Sequence, residues 1–195
     1  LALVASVAGA VACTDKNEKT GELVVSVETD MAMPDGVDHI RMLVSVPGTT
    51  LLNRPYDLGT VSQEARIPAT LALLAGNPSV PVTIQVRGER GQEVRTLREV
   101  VTTVPLNRSA LLRMPVQWLC DGLVNTVKVD GVETVQSQCG DTFTCVSGKC
   151  VPKEVDSTKL PDYRPQLVFG GADKPGPGTC FDTAGCMLAG QSFEP

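Results

Sequence analysis

A chain of 195 residues with a net charge of −5, 42% hydrophobic and only 4% aromatic residues has length for one ordinary domain with smaller additions. The acidic balance excludes a nucleic-acid binder, which needs a basic footprint. No run reaches the ~20 apolar residues of a membrane-spanning helix, and seven cysteines are more than a reducing cytosol favours.

The first thirteen residues, LALVASVAGAVAC, are apolar and give way at once to polar Thr14, Asp15, Lys16 and Asn17. Ala10, Val11 and Ala12 set small side chains beside Cys13, as a signal peptidase requires at its scissile bond. These residues resemble the end of a bacterial lipoprotein signal peptide, with Ala10 where the family usually carries Leu. The resemblance implies that residues 1–12 are the last part of a leader begun upstream, and that Cys13 is lipidated. It also implies a polar tether over residues 13–21 and a membrane partner held through the acyl chains. At about 0.8 kcal/mol per buried methylene, two or three chains make the anchor effectively permanent. Enteric sorting retains at the inner membrane a lipoprotein with Asp after the lipidated cysteine; Thr14 stands there, so the outer membrane is expected. Asp15, Asn17 and Glu22 miss the calcium-loop spacing, because Lys19 and Thr20 occupy the ligand and glycine positions, and no metal is expected.

From residue 22 the hydrophobic period becomes two, the pattern of strands with one buried face. Leu23, Val25 and Val27 form the first set; Ile40, Met42, Val44 and Val46 the second. A weaker strand covers 50–56, and Ile67, Ala69, Leu71 and Leu73 make the next. Val82, Ile84 and Val86, the turn GERGQ at 88–92 and the β-branched run 94–103 predict a hairpin. Ala110, Leu112, Met114, Val116 and Trp118 close the series, with Trp118 expected in the core beside its strand mates. Seven strands in about 100 residues predict an all-β, antiparallel β-sandwich over residues 22–119. In architecture it resembles the immunoglobulin-like or fibronectin type III-like class, without the antibody-type disulfide. Arg41, Arg87, Arg95 and Arg98 on these strands form either an anion-gripping patch or, as is expected with Glu28, Glu89, Glu93 and Glu99 interleaved, cross-strand ion pairs.

At Cys120 the chain changes character. Residues 22–119 hold nine Arg and no Lys, whereas 120–195 hold five Lys, one Arg and six cysteines. A core stabilises the first part; disulfides are expected to stabilise the second. Residues 120–151 read as a cysteine-rich hairpin module, with Asp130–Gly131 between two β-branched runs as a type I′ turn. Cys139, Cys145 and Cys150 resemble, in disulfide style alone, the small turns of EGF-like modules. The candidates for disulfides are Cys120, Cys139, Cys145, Cys150, Cys180 and Cys186. Local spacing favours Cys120 with Cys139 and Cys145 with Cys150, with a crossed pairing open; zinc on these four thiolates is the competitor that an oxidising compartment disfavours. Residues 152–179 are rich in Pro and Gly and read as a linker whose apolar run 167–169 docks as an edge strand or binds elsewhere. Residues 180–195 read as a small disulfide loop, with a further module expected beyond them.

No GxSxG, HExxH, GxGxxG or phosphate-loop motif occurs, and the single His39 beside Asp38 reads as surface. The chain is therefore expected to be no enzyme and to take no cofactor. Two functions remain: a lipid-anchored envelope protein whose sandwich binds another envelope protein or a glycan, and a stalk or assembly component that only spaces its C-terminal module. An accessory domain of a larger exported enzyme is a third.

Overall fold

The computed structural model describes residues 21–58, 65–74, 76–129, 132–170 and 179–180, with backbone alone for residues 129, 132, 133, 179 and 180. Seven strands build a two-layer sandwich: β1 (Glu22–Thr29), β2 (His39–Val46), β3 (Thr49–Asp57), β4 (Ala69–Leu74), β5 (Val82–Arg90), β6 (Glu93–Thr102) and β7 (Ser109–Val116). They fall on the seven strand segments read from the sequence. Successive side chains point to opposite faces, so Leu23, Val25 and Val27 enter the core with Ile40, Met42 and Val44 opposite, and Ile84, Val86, Leu112 and Met114 complete it. The hairpin turn is tighter than GERGQ implies. β5 runs through Arg90 and only Gly91 and Gln92 intervene before β6, with Gly91 at φ 58, where a side chain would be strained.

One sheet has the order β4–β1–β7, the other β3–β2–β5–β6. β1 and β7 run parallel, Glu22 opposite Ser109 and Thr29 opposite Val116, while the other pairings among the seven strands are antiparallel. The all-β sandwich is present, with a strand order of its own. An immunoglobulin constant domain puts its first, second, fifth and fourth strands together; here the second and fifth lie opposite the first. Two short turns, Pro47–Gly48 and Gly91–Gln92, keep β2 with β3 and β5 with β6 in one sheet.

Beyond β7 come a 3₁₀ turn (Trp118–Cys120) and two ribbons, β8 (Val124–Val129) with β9 (Val132–Ser137) and β10 (Phe143–Val146) with β11 (Lys149–Pro152). The strands on either side of Asp130–Gly131 pair as that dipeptide predicts. The local disulfide pairing does not hold. Cys120 bonds Cys145 and Cys139 bonds Cys150, with Cα separations of 5.8 and 5.4 Å, within the usual range. Cys145 and Cys150 stand opposite each other on β10 and β11. That hairpin is already closed by its backbone ladder, and its two cysteines tie it outward, to the 3₁₀ turn and to the end of the β8–β9 ribbon. With all four sulfurs so engaged, the zinc alternative has no thiolates.

Residues 152–163 are no linker. Lys153 and Val155 bond the backbone of Val101 on the free edge of β6, and Pro161 and Tyr163 bond Leu111 and Ser109 on the free edge of β7. Between these contacts lies a 3₁₀ turn (Ser157–Lys159) capped by Asp156, whose side chain accepts from Thr158 N–H. The segment thus straps one side of the sandwich from sheet to sheet, and Val155 and Leu160 pack against the core. Arg108 fastens it: Nη1 donates to Leu160 O at 3.0 Å and Asp162 Oδ1 at 2.7 Å, and Nη2 to Ser157 O at 2.8 Å. The run 167–169, expected to dock as an edge strand or to bind elsewhere, is no strand but part of a single helical turn, α1 (Gln166–Phe169). Pro152 and Pro161 fit the course of the strap, since Pro interrupts ladders but tolerates an extended edge segment.

An unpaired edge invites association with other chains. Besides β6 and β7, the β4 edge carries a short parallel strand, β12 (Thr179–Cys180). The β3 edge is blunted in another way. It contains Pro55, and the register shift that pairs Val44 with Leu52 and Ser45 with Thr50 leaves Leu51 as an extra residue, a bulge. Cys13, the residue 13–21 tether before Gly21, and Cys186 lie outside the described residues, as do the side chain of Cys180 and the Asp15–Asn17 pattern.

Candidate functional site

The strand directions define two ends. β1 starts at Glu22 and finishes at Thr29 beside Val116, where β7 ends. The same end holds the β1–β2 loop, the Gly91–Gln92 turn and the 3₁₀ turn. Gly88 of β5 lies against Val116, which brings the second sheet to that end as well. Residue 21 enters at the opposite end, about 26 Å away along the eight residues of β1.

Trp118 belongs to this far end and not to the core: it is 60% exposed, and Leu119 beside it 62%. The strand period that assigns Trp118 inward stops at Val116, because the chain turns there to bring Cys120 to Cys145. Asp30 Oδ1 accepts the Trp118 N–H at 2.6 Å. Gln117 is fixed on the other side, its Oε1 accepting Ser147 N–H at 2.8 Å and its Nε2 donating to Ser147 Oγ at 3.2 Å. Arg95 grips Asp121 through two hydrogen bonds, Nε to Oδ1 at 2.8 Å and Nη2 to Oδ2, which raises the guanidinium further above its ordinary value. An indole is thus presented to solvent on a turn held by a disulfide, a bidentate ion pair and three hydrogen bonds to neighbouring loops. Exposed large apolar side chains on a rigid support are the usual anchors of protein interfaces. Met33, also exposed, comes from the adjoining β1–β2 loop.

The four strand arginines do not assemble into one patch. Arg41 Nε donates to Glu89 Oε1 at 2.8 Å; Arg95 is held by Asp121. Arg87 stands opposite Arg41 on the outer sheet face and gives Nη2 to Gln85 Oε1 at 2.8 Å, with Gln85 Nε2 in turn on Glu99 Oε2. Lys153 Nζ reaches the other Glu99 oxygen at 2.7 Å. Burial lowers the Arg87 guanidinium while Glu89 raises it, with a net lowering. Arg113 meets Glu28 at 3.4 Å on the other sheet. Arg98 departs from the pattern, because opposite Val86 its side chain faces inward. Cross-strand ion pairing, the expected arrangement, therefore describes Arg41; Arg87 bonds a glutamine of its own strand, and Arg95 an aspartate just past the 3₁₀ turn.

His39 Nδ1 lies 2.7 Å from Asp38 Oδ1, half-buried at the start of β2. Ser45 is six residues along the same strand, about 20 Å away, and Ser26 sits on the far face of the other sheet with the core between. Neither gives His39 a nucleophile. Among the described residues no group of three or more His, Cys, Asp or Glu is placed to hold a metal ion, and no helix is long and apolar enough to cross a membrane. Strand periodicity hides the exposure of Trp118; Cys120, two residues past it, is the sequence signal that the strand ends there. No known protein family, curated protein or solved structure matches this chain.

Proposed function

We propose that this protein is a bacterial envelope lipoprotein, anchored through Cys13, that binds another envelope component without catalysis through the loop end around Trp118 and Leu119. The observation that carries this reading is the solvent exposure of an indole on a cross-braced turn at the end of the sandwich opposite residue 21. A tether at residue 21 leaves that end facing away from the membrane. Two disulfides between four of the cysteines are the chemistry of an oxidising compartment.

Trp118 is the only tryptophan of the chain, so its fluorescence, once each fraction's own emission is subtracted, reports on this site. Full-length protein is titrated with fractionated envelope proteins and with solubilised envelope glycans. A saturable blue shift with one fraction, absent when Leu119→Asp is titrated, is the expected result. No shift with any fraction refutes binding at this end. Fatty-acid labelling of the wild type beside Cys13→Ala tests the anchor separately; label incorporated equally by both refutes it.

A further inference from the structure

The outward backbone groups of β6 are met by one part of the chain. Gly122 N–H donates to Arg95 O at 2.9 Å, Glu99 N–H to Thr144 Oγ1 at 3.0 Å, Val101 N–H to Lys153 O at 2.8 Å, and Val155 N–H to Val101 O at 2.9 Å. The first three contacts lie within three residues of a bonded cysteine: Gly122 follows Cys120, Thr144 precedes Cys145, Lys153 follows Cys150. The disulfides therefore hold the covering segment where it meets the edge.

Closure also gains the Arg95–Asp121 and Lys153–Glu99 ion pairs and the bond from Thr102 Oγ1 to Val155 O, but little apolar burial beyond Val135 and the cysteines themselves. From residues 120–163 only Val155 and Leu160 pack against the core cluster, and a segment with a small apolar contribution depends on staples. Arg98 works against it. Its side chain is 8% exposed, its Nε is buried with no partner, and its Nη1 reaches only the edge carbonyl of Glu99 at 3.4 Å. No carboxylate among the described residues pairs with it, and burial pushes the guanidinium down to about 10. A desolvated charge without a counter-ion is destabilising, and the reach of Nη1 to the edge carbonyl of Glu99 puts the guanidinium beside the edge that the segment covers.

We propose that the two disulfides are a redox latch on the β6 side of the sandwich: reduced, the segment 120–155 leaves the edge while the two sheets persist; oxidised, it closes over the edge and over Arg98. In closing, each pair of thiols gives two electrons and two protons to an external disulfide oxidant, which departs as its dithiol. The new bonds join residues 25 and 11 apart and restrict the open ensemble. Only the timing rests on the proposed export, which delays closure until the chain leaves a reducing compartment.

Amide hydrogen exchange on the full chain tests the latch in vitro, independently of any anchor or partner. The wild type is compared with a variant carrying Ser at positions 120, 139, 145 and 150. The expected result is exchange at least tenfold faster at the Glu99 and Val101 amides, with the amides of β2 and β5 within twofold. Unchanged edge amides overturn the proposal, and so does a uniform acceleration through β2 and β5, which makes the disulfides props of the whole fold. In the same Ser background, Arg98→Met is expected to slow the edge amides again by at least threefold; no slowing overturns the role given to Arg98.

Discussion

Replacing Arg108 with Met tests whether the strap over the β6 and β7 edges is an integral part of the sandwich. Four acceptors surround the guanidinium. The bonds to Leu160 O at 3.0 Å and Ser157 O at 2.8 Å are partly buried, the ion pair with Asp162 at 2.7 Å is exposed, and the contact with Thr158 O is long at 3.3 Å. A hydrogen bond from a charged donor contributes about 1.5 kcal/mol at the low end of its range, so the two carbonyl bonds together give roughly 3 kcal/mol. An exposed pair adds about 0.5 kcal/mol or less, and the methionine stem keeps much of the apolar contact. The expected loss is therefore about 3–3.5 kcal/mol, or a fall in Tm of roughly 6–14 °C for a chain of this size. Chemical denaturation of wild type, Arg108→Met and Arg108→Lys measures it. Lys keeps the charge beside Asp162 but not the planar fork that spans Leu160 and Ser157, and is expected to recover less than half of the loss. A methionine variant within about 0.5 kcal/mol of wild type, the ordinary range for a surface substitution, refutes the reasoning.

Two further outcomes follow from local geometry. A Cβ at Gly88 meets Thr96 Oγ1 at 2.7 Å and Val116 Cγ1 at 2.8 Å, so Gly88→Ala is expected to cost about 1–3 kcal/mol by overpacking, measured by urea unfolding; a neutral substitution means that the two sheets do not meet there as closely as described. At Asp38, burial raises the carboxyl, but the bonds from His39 and from Gly91 N–H outweigh it and leave it below its usual 3.8. Its contribution to stability is then present above that value and is lost as pH falls through the lower, folded value. Wild type is expected to lose more stability than Asp38→Asn below about pH 4, and equal loss in parallel urea titrations contradicts the assignment.

The amino-acid sequence alone determined where the seven strands lie and the inward faces of five of them. Local alternation suffices for that, since a period of two leaves one choice of buried face per strand, as at Leu23, Val25 and Val27 or Ile40, Met42 and Val44. It also marked Gly91 as part of a turn and the runs on either side of Asp130–Gly131 as partners in a ribbon. Sheet order lay beyond it, because the parallel pairing of β1 with β7 joins residues some 87 positions apart, such as Glu22 and Ser109, and no local pattern encodes a partner at that distance. The disulfide pairing was hidden for the same reason: spacing favours neighbours, whereas packing against β6 brings Cys145 to Cys120 and Cys150 to Cys139. Trp118 followed its strand's period by two residues too many, and Pro-rich 152–163 passed for a linker because its bonds run to edges contributed by Val101, Ser109 and Leu111. Alternation records which face of a segment avoids water; which edge or loop that segment then meets is decided by contacts that exist only once the two sheets have come together.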